Sequence, residues 1–231
     1  RTTGELVVGK PFARQTWAKE LDRKGRPVLM PNSEASVEGQ LHFPSLGGAT
    51  NRQAPSYDPA TRWLYIAFRE AGDVYYKEGQ KYEPGKSYWG GKVISAKERE
   101  WGGIKAINPE TGNIEWEYKL VSGNISAGVL ATGGGVLFAS SREGNLLALD
   151  SRSGKLLWKF QTGADINSSP MSYAIDGQQY IGLAAGKVLY TLALPGEAPE
   201  AKPAISRRAL GKLPSETASK PKLLGVEVRS R

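Results

Sequence analysis

Short apolar segments recur along the chain, each bounded by turn-forming residues. Leu64-Tyr65-Ile66-Ala67-Phe68, Val136-Leu137-Phe138-Ala139-Ser140, Gln179-Tyr180-Ile181-Gly182-Leu183 and Val188-Leu189-Tyr190-Thr191-Leu192 are enriched in aliphatic and aromatic side chains and have strand length. Asp58-Pro59-Ala60-Thr61, Glu143-Gly144-Asn145 and Asp176-Gly177 punctuate them, and Asp-Gly between Met171-Ser172-Tyr173-Ala174 and Gln179 is a strong two-residue hairpin signal. No stretch sustains a 3.6-residue period, so the pattern predicts an all-β protein with little helix.

An internal repeat refines that reading. Ile104-Lys-Ala-Ile-Asn-Pro-Glu-Thr-Gly-Asn-Ile-Glu-Trp116 recurs 42 residues later as Leu146-Leu-Ala-Leu-Asp-Ser-Arg-Ser-Gly-Lys-Leu-Leu-Trp158. Asn108 and Asp150 each open a turn with a side chain that accepts from nearby amides, Gly112 and Gly154 supply a positive φ, and the chain returns as a second strand through Trp116 or Trp158. A spacing of this size suits one four-stranded propeller blade, with the tryptophans as architectural anchors between blades. Arg1-Thr2-Thr3-Gly4 through Val8 fits the second half of the same repeat, with Thr3-Gly4 aligned to Thr111-Gly112. The chain is therefore expected to start inside a blade, as a piece of a longer protein would. About three blades are expected over residues 1–195, interrupted near 11–50 and 70–100 by stretches without clear alternation. The second stretch concentrates Tyr75, Tyr76, Tyr82, Tyr88 and Trp89, which suit a pocket wall, a lid or a surface cover. Residues 196–231 read as a basic, proline-rich disordered tail.

Composition removes several chemistries. The chain has no cysteine and a single histidine, His42, which excludes thiolate metal centres and a conventional nucleophilic triad elsewhere in these 231 residues. The formal charge of +8 is half concentrated in the tail, and no basic stripe with interleaved aromatics marks a nucleic-acid surface. Gly85-Lys86-Ser87 lacks the first glycine of a phosphate loop, because Gln80 stands there. Glycosylation-type triplets at Asn124 and Asn167 carry no weight without a compartment. The most site-like segment is Gly47-Gly48-Ala49-Thr50-Asn51-Arg52-Gln53. Its glycine pair permits close backbone approach, Asn51 donates and accepts, and Arg52 balances an anion.

The Ala-x-Asp-x-x-Thr-Gly-x-x-x-Trp form of the repeat resembles the tryptophan-docking motif of the quinoprotein dehydrogenases. Ordered agreement over 47–59, 101–116, 127–160 and 168–186 supports the same resemblance. It implies an eight-bladed propeller enzyme of the periplasm that uses pyrroloquinoline quinone (PQQ) with calcium or a lanthanide. Such an enzyme oxidises an alcohol or sugar by hydride transfer to the quinone and passes electrons to a cytochrome c-type or quinone acceptor. This chain would be its C-terminal portion, seated against the remaining blades. Asn51, eight residues before the proline of Ser56-Tyr57-Asp58-Pro59, corresponds to a cofactor-contacting asparagine, with Thr50 beside it. Ser126 stands where the methanol dehydrogenases place a cofactor-contacting tryptophan, so contact there would be smaller and more polar. The catalytic aspartate, the metal ligands and the vicinal cysteines of the family are expected upstream of Arg1. No catalytic or metal-binding residue is therefore assigned here, and the piece alone should be inactive. An open run of blades should also be poorly stable or prone to association. The alternative is a non-catalytic propeller of the same repeat type acting as a scaffold or binding module.

Overall fold

The computed structural model describes residues 4–121, 123 and 125–194. The tail 196–231 and the triplet asparagine Asn124 lie outside the described residues. Chain order gives β1 (Ala18–Leu21), β2 (Pro27–Leu29), β3 (Gln40–His42), β4 (Ser56–Asp58), β5 (Trp63–Glu70), β6 (Asp73–Lys77), β7 (Gly91–Ser95) and β8 (Trp101–Ile107). There follow β9 (Ile114–Lys119), β10 (Leu130–Ala131), β11 (Val136–Ser140), β12 (Asn145–Asp150), β13 (Leu156–Gln161), β14 (Met171–Ile175), β15 (Gln178–Ala185) and β16 (Val188–Ala193). No helix occurs among the described residues.

The repeats build blades. Strands β4-β5-β8-β9 form one antiparallel sheet, β10-β11-β12-β13 a second, and β14-β15-β16 a three-stranded third. The first strands of the first two sheets adjoin, and Ala131 N donates to Ser56 Oγ at 2.9 Å. Strand alternation sends side chains to both faces of each sheet, so a middle strand is buried on both sides. Tyr65, Ala67, Ile104 and Ala106 of the first sheet meet Leu137, Ala139, Leu147 and Leu149 of the second. From the other face, Leu146 joins Ile166, Leu183 and Ala185. The arrangement is a partial β-propeller.

The tryptophans do what the repeat requires. Trp116 Nε1 donates to Ser151 O at 3.0 Å, across to the β12–β13 turn. A Cβ on Gly154 would lie 2.6 Å from the Trp116 ring, so only glycine lets the indole seat there. The same relation recurs at the N-terminal segment. Gly4, Gly112 and Gly154 have φ of 68°, 70° and 69°. Val8, four residues after Gly4, fills the tryptophan position, and its Cγ1 would meet a Cβ on Gly112 at 2.7 Å. Among the described residues no such turn covers Trp158: it stacks on Phe160 and is 45% exposed.

The turns are held by their first residue. Asn108 Oδ1 accepts from the amides of Glu110 and Thr111, and Asp150 Oδ1 from those of Arg152 and Ser153. Asp58-Pro59-Ala60-Thr61-Arg62 makes the same turn with Arg62 at φ 61° in the glycine position. Bonds from the Ser153 hydroxyl and the Ser153 amide hold the Asp150 carboxyl below its usual range. A lowered carboxylate pKa stabilises the fold above the unfolded-state value and the benefit is lost as pH falls through the folded-state value. Asp150→Asn should therefore flatten the acid limb of the stability curve below about pH 4, as read by urea melts across pH.

Residues 11–50 and 70–100 are more ordered than their sequence pattern implies. β1 pairs with β2, and β3-β6-β7 form a further sheet. Glu70 and Trp101 face each other at the end of the β5/β8 ladder, so residues 71–100 leave and re-enter at one point. These strands are short, and β3 pairs with a segment more than thirty residues away (Gln40↔Tyr75). No local alternation could report that pairing.

Candidate functional site

An antiparallel meander fixes which connections share an end. The tight turns after β4, β8, β10, β12 and β14 lie at one end of the sheets. The segments leading into β4, β10 and β14, together with the excursion between β5 and β8, lie at the other. Thr50, Asn51 and Ser126 all belong to this second end.

Hydrogen bonds tie those three lead-in segments into one cluster. Val129 N donates to Ala54 O at 3.0 Å, and Gln53 Nε2 to Ile125 O at 3.3 Å. Gly128 N donates to Ser169 Oγ at 2.9 Å, and Ser126 Oγ to Ile166 O at 3.0 Å. A Cβ on Gly128 would approach Ala54 O and Ser169 Oγ to 2.6 Å, so glycine is what lets the strands close up.

The Gly47–Asn51 loop is shaped mainly by a residue that the sequence pattern did not single out. Arg69, at the end of β5, donates from Nε to Gly48 O and from Nη2 to Ser45 Oγ, both at 3.0 Å. Its own amide donates to Ala49 O at 2.8 Å, and Nη1 lies 3.7 Å from Glu100. Any side chain on Gly47 would displace the guanidinium. Gly48 adopts φ 71° and donates to Ser45 O. Asp73 Oδ2 accepts from Leu46 N at 2.8 Å. In sequence, Arg69 is indistinguishable from a polar strand end after an apolar run, which is why it gave no signal.

The predicted site residues sit as follows. Asn51 is exposed. Its amide donates to Gln53 Oε1 at 2.8 Å, and its Nδ2 makes a longer 3.4 Å bond to Gly47 O. Thr50 is half-buried and lines a cavity of about 370 Å³ with Phe12, Trp17 and Pro44. Ser126 is buried, with its hydroxyl proton committed to the Ile166 carbonyl. Gln53 thus joins the Asn51 loop to the Ser126 segment. Lys105, the buried cation nearby, is absorbed structurally by Glu117, the Phe12 carbonyl and the Phe68 ring. His42 lies elsewhere, on β3 against Tyr75.

The donor set suits a flat, oxygen-rich anion. The Asn51 carboxamide and the Arg52 guanidinium are exposed beside the glycine pair, whose own space is taken by the Arg69 guanidinium. PQQ, a planar quinone with three carboxylates, has the chemistry that such donor types would hold. No group of three His, Cys, Asp or Glu that could hold a metal ion occurs among the described residues.

Known proteins resemble the chain over these blades. Residues 69–181 match the PQQ family described as glucose/ethanol/alcohol dehydrogenase, beta-propeller domain. The quinoprotein alcohol dehydrogenase PedH of Pseudomonas putida is 33% identical over 196 residues, covering 80% of this chain and 33% of that protein. A 1-butanol dehydrogenase (cytochrome c) of Thauera butanivorans is 28% identical over 201 residues, covering 80% of this chain and 28% of that one. The structure of a europium-containing methanol dehydrogenase superposes with a TM-score of 0.72 at 26% identity, over 80% of this chain and 34% of that one. The chain spans about a third of the length of the curated relatives it matches.

Proposed function

The chain carries a β-propeller of the PQQ alcohol dehydrogenase family, and on that premise we propose that it is part of a periplasmic quinoprotein that oxidises an alcohol. The observation that carries this reading is the cluster of three blade lead-ins, with the Arg69-held Gly47–Asn51 loop at its rim. Bound PQQ would supply the two-electron acceptor, assisted by calcium or a lanthanide held by residues outside this chain. Within this chain, Asn51 and Thr50 would hold the cofactor by hydrogen bonds and Arg52 would neutralise carboxylate charge, while Ser126 fixes the neighbouring lead-in through Ile166.

Alone, the piece should not turn over, since proton acceptor and metal ligands are expected from other blades. The test uses the full-length protein. It should quench its tryptophan fluorescence on PQQ addition and reduce a dye when given a primary alcohol with calcium or a lanthanide. Asn51→Ala should weaken PQQ binding at least tenfold, since a hydrogen bond to a charged group is worth about 1.5–3 kcal/mol. A full-length protein that neither binds PQQ nor oxidises alcohols would return the scaffold reading.

A further inference from the structure

The β6–β7 hairpin has features that the cofactor loops do not use. Its ladder runs from Asp73↔Ser95 to Lys77↔Gly91, and the tip beyond it is pinned by one side chain. Gln80 Oε1 accepts from the amides of Trp89 and Gly90 at 2.8 and 3.1 Å, and Nε2 donates to Ser87 O at 2.9 Å. This fixed backbone presents Tyr82, Tyr88 and Trp89 outward, at 66%, 55% and 79% exposure. Tyr82 and Tyr88 meet edge to face. Trp89 also borders a cavity of about 650 Å³ with Tyr75, Tyr76 and Leu46.

Charge surrounds the aromatics. Glu83 is paired with Lys86 at 2.6 Å and Glu78 with Lys92 at 3.3 Å. That leaves Lys77 and Lys81 without a carboxylate partner among the described residues, on a chain whose formal charge is +8. Large aromatics on an already ordered backbone lose little entropy on association. An apolar centre with a cationic rim suits an encounter that is small, fast and electrostatically steered. The hairpin also leaves from the end of the blades that carries the Gly47–Asn51 loop, and Asp73 at its base bonds to Leu46 of that loop.

We propose that the β6–β7 tip is the docking surface for the protein that removes electrons from the enzyme: a small soluble carrier with an apolar face rimmed by carboxylates. The inference rests on the dehydrogenase reading and selects a protein acceptor over a membrane-dissolved quinone, which has no carboxylate rim to match Lys77 and Lys81.

Direct binding tests it. Full-length protein is titrated with an oxidised, acidic, soluble c-type cytochrome, followed by haem absorbance, at ionic strengths of about 10 mM and about 1 M, where the Debye length falls from roughly 30 to roughly 3 Å. Binding should be at least tenfold tighter at low salt, and a basic cytochrome c should bind more weakly. Tyr88→Ala with Trp89→Ala should raise Kd about tenfold at either salt. Lys77→Gln with Lys81→Gln, two exposed changes that leave the ladder intact, should raise it only at low salt. Unchanged Kd in both variants, preference for the basic cytochrome, or binding to quinone-loaded vesicles instead would overturn the proposal. Dye reduction by the same preparations reports on the dehydrogenase reading separately, since the titration needs no turnover.

Discussion

Trp116→Ala is expected to cost about 3 kcal/mol of folding stability, the low end for losing a large aromatic from a packed site. Trp158→Ala should cost about 1 kcal/mol, the scale of an exposed aromatic pair. Both tryptophans occupy the same place in the repeat, so the difference arises from their surroundings. Trp116 bonds to Ser151 O, packs on Gly154 and adjoins Tyr65, whose own hydroxyl donates to Ser151 O at 3.0 Å. Removing it opens the seam between two blades and takes one of two side-chain donors from the Ser151 carbonyl. Burial also raises the Tyr65 pKa, as expected for a phenol inside that seam. Trp158 stacks on Phe160 and is 45% exposed. Thermal melts should separate the two by several degrees, at roughly 2–4 °C per kcal/mol for a chain of this size. Gly154→Ala supplies the cross-check. Part of its cost is the clash with the Trp116 ring, and that part should vanish in the Trp116→Ala background. Equal losses for the two tryptophans, or full additivity with Gly154→Ala, would contradict the docking account.

Arg69→Met is the second large effect. It should weaken PQQ binding to the full-length protein at least tenfold, beyond what its fall in Tm accounts for. The guanidinium makes two charge-assisted bonds to the Gly47–Asn51 loop, at Gly48 O and Ser45 Oγ, each worth about 1.5–3 kcal/mol. The β5 strand itself keeps its ladder to β8 without that side chain. Arg69→Lys should recover the charge but not the fork, and so restore affinity only partly. Gly47→Ala should resemble Arg69→Met, because a methyl there takes the place of the guanidinium. Fluorescence titration with PQQ beside a melt of each variant decides the matter. A loss of affinity that merely tracks loss of Tm would mean that Arg69 supports the fold and does not position the loop.

Local chemistry made the blades readable from sequence. Asn108-x-x-Thr111-Gly112 and Asp150-x-x-Ser153-Gly154 encode a turn within five residues, through side-chain acceptors and a left-handed glycine, and the apolar runs beside them encode strands. Even the N-terminal half-repeat was legible, and Val8 does reach Gly112. The lead-in containing Thr50 and Asn51 stood out by its glycine pair, and its spacing to Ser56-Tyr57-Asp58-Pro59 agrees with the family resemblance. Long-range pairing decided everything else. β3 meets β6, Arg69 reaches back over twenty residues to Gly48, and Gln53 spans 72 residues to Ile125. Nothing in the local pattern distinguishes these polar residues from solvated ones. A strand period reports which face is apolar. It does not report which distant backbone a guanidinium or a carboxamide will find once the blades have packed.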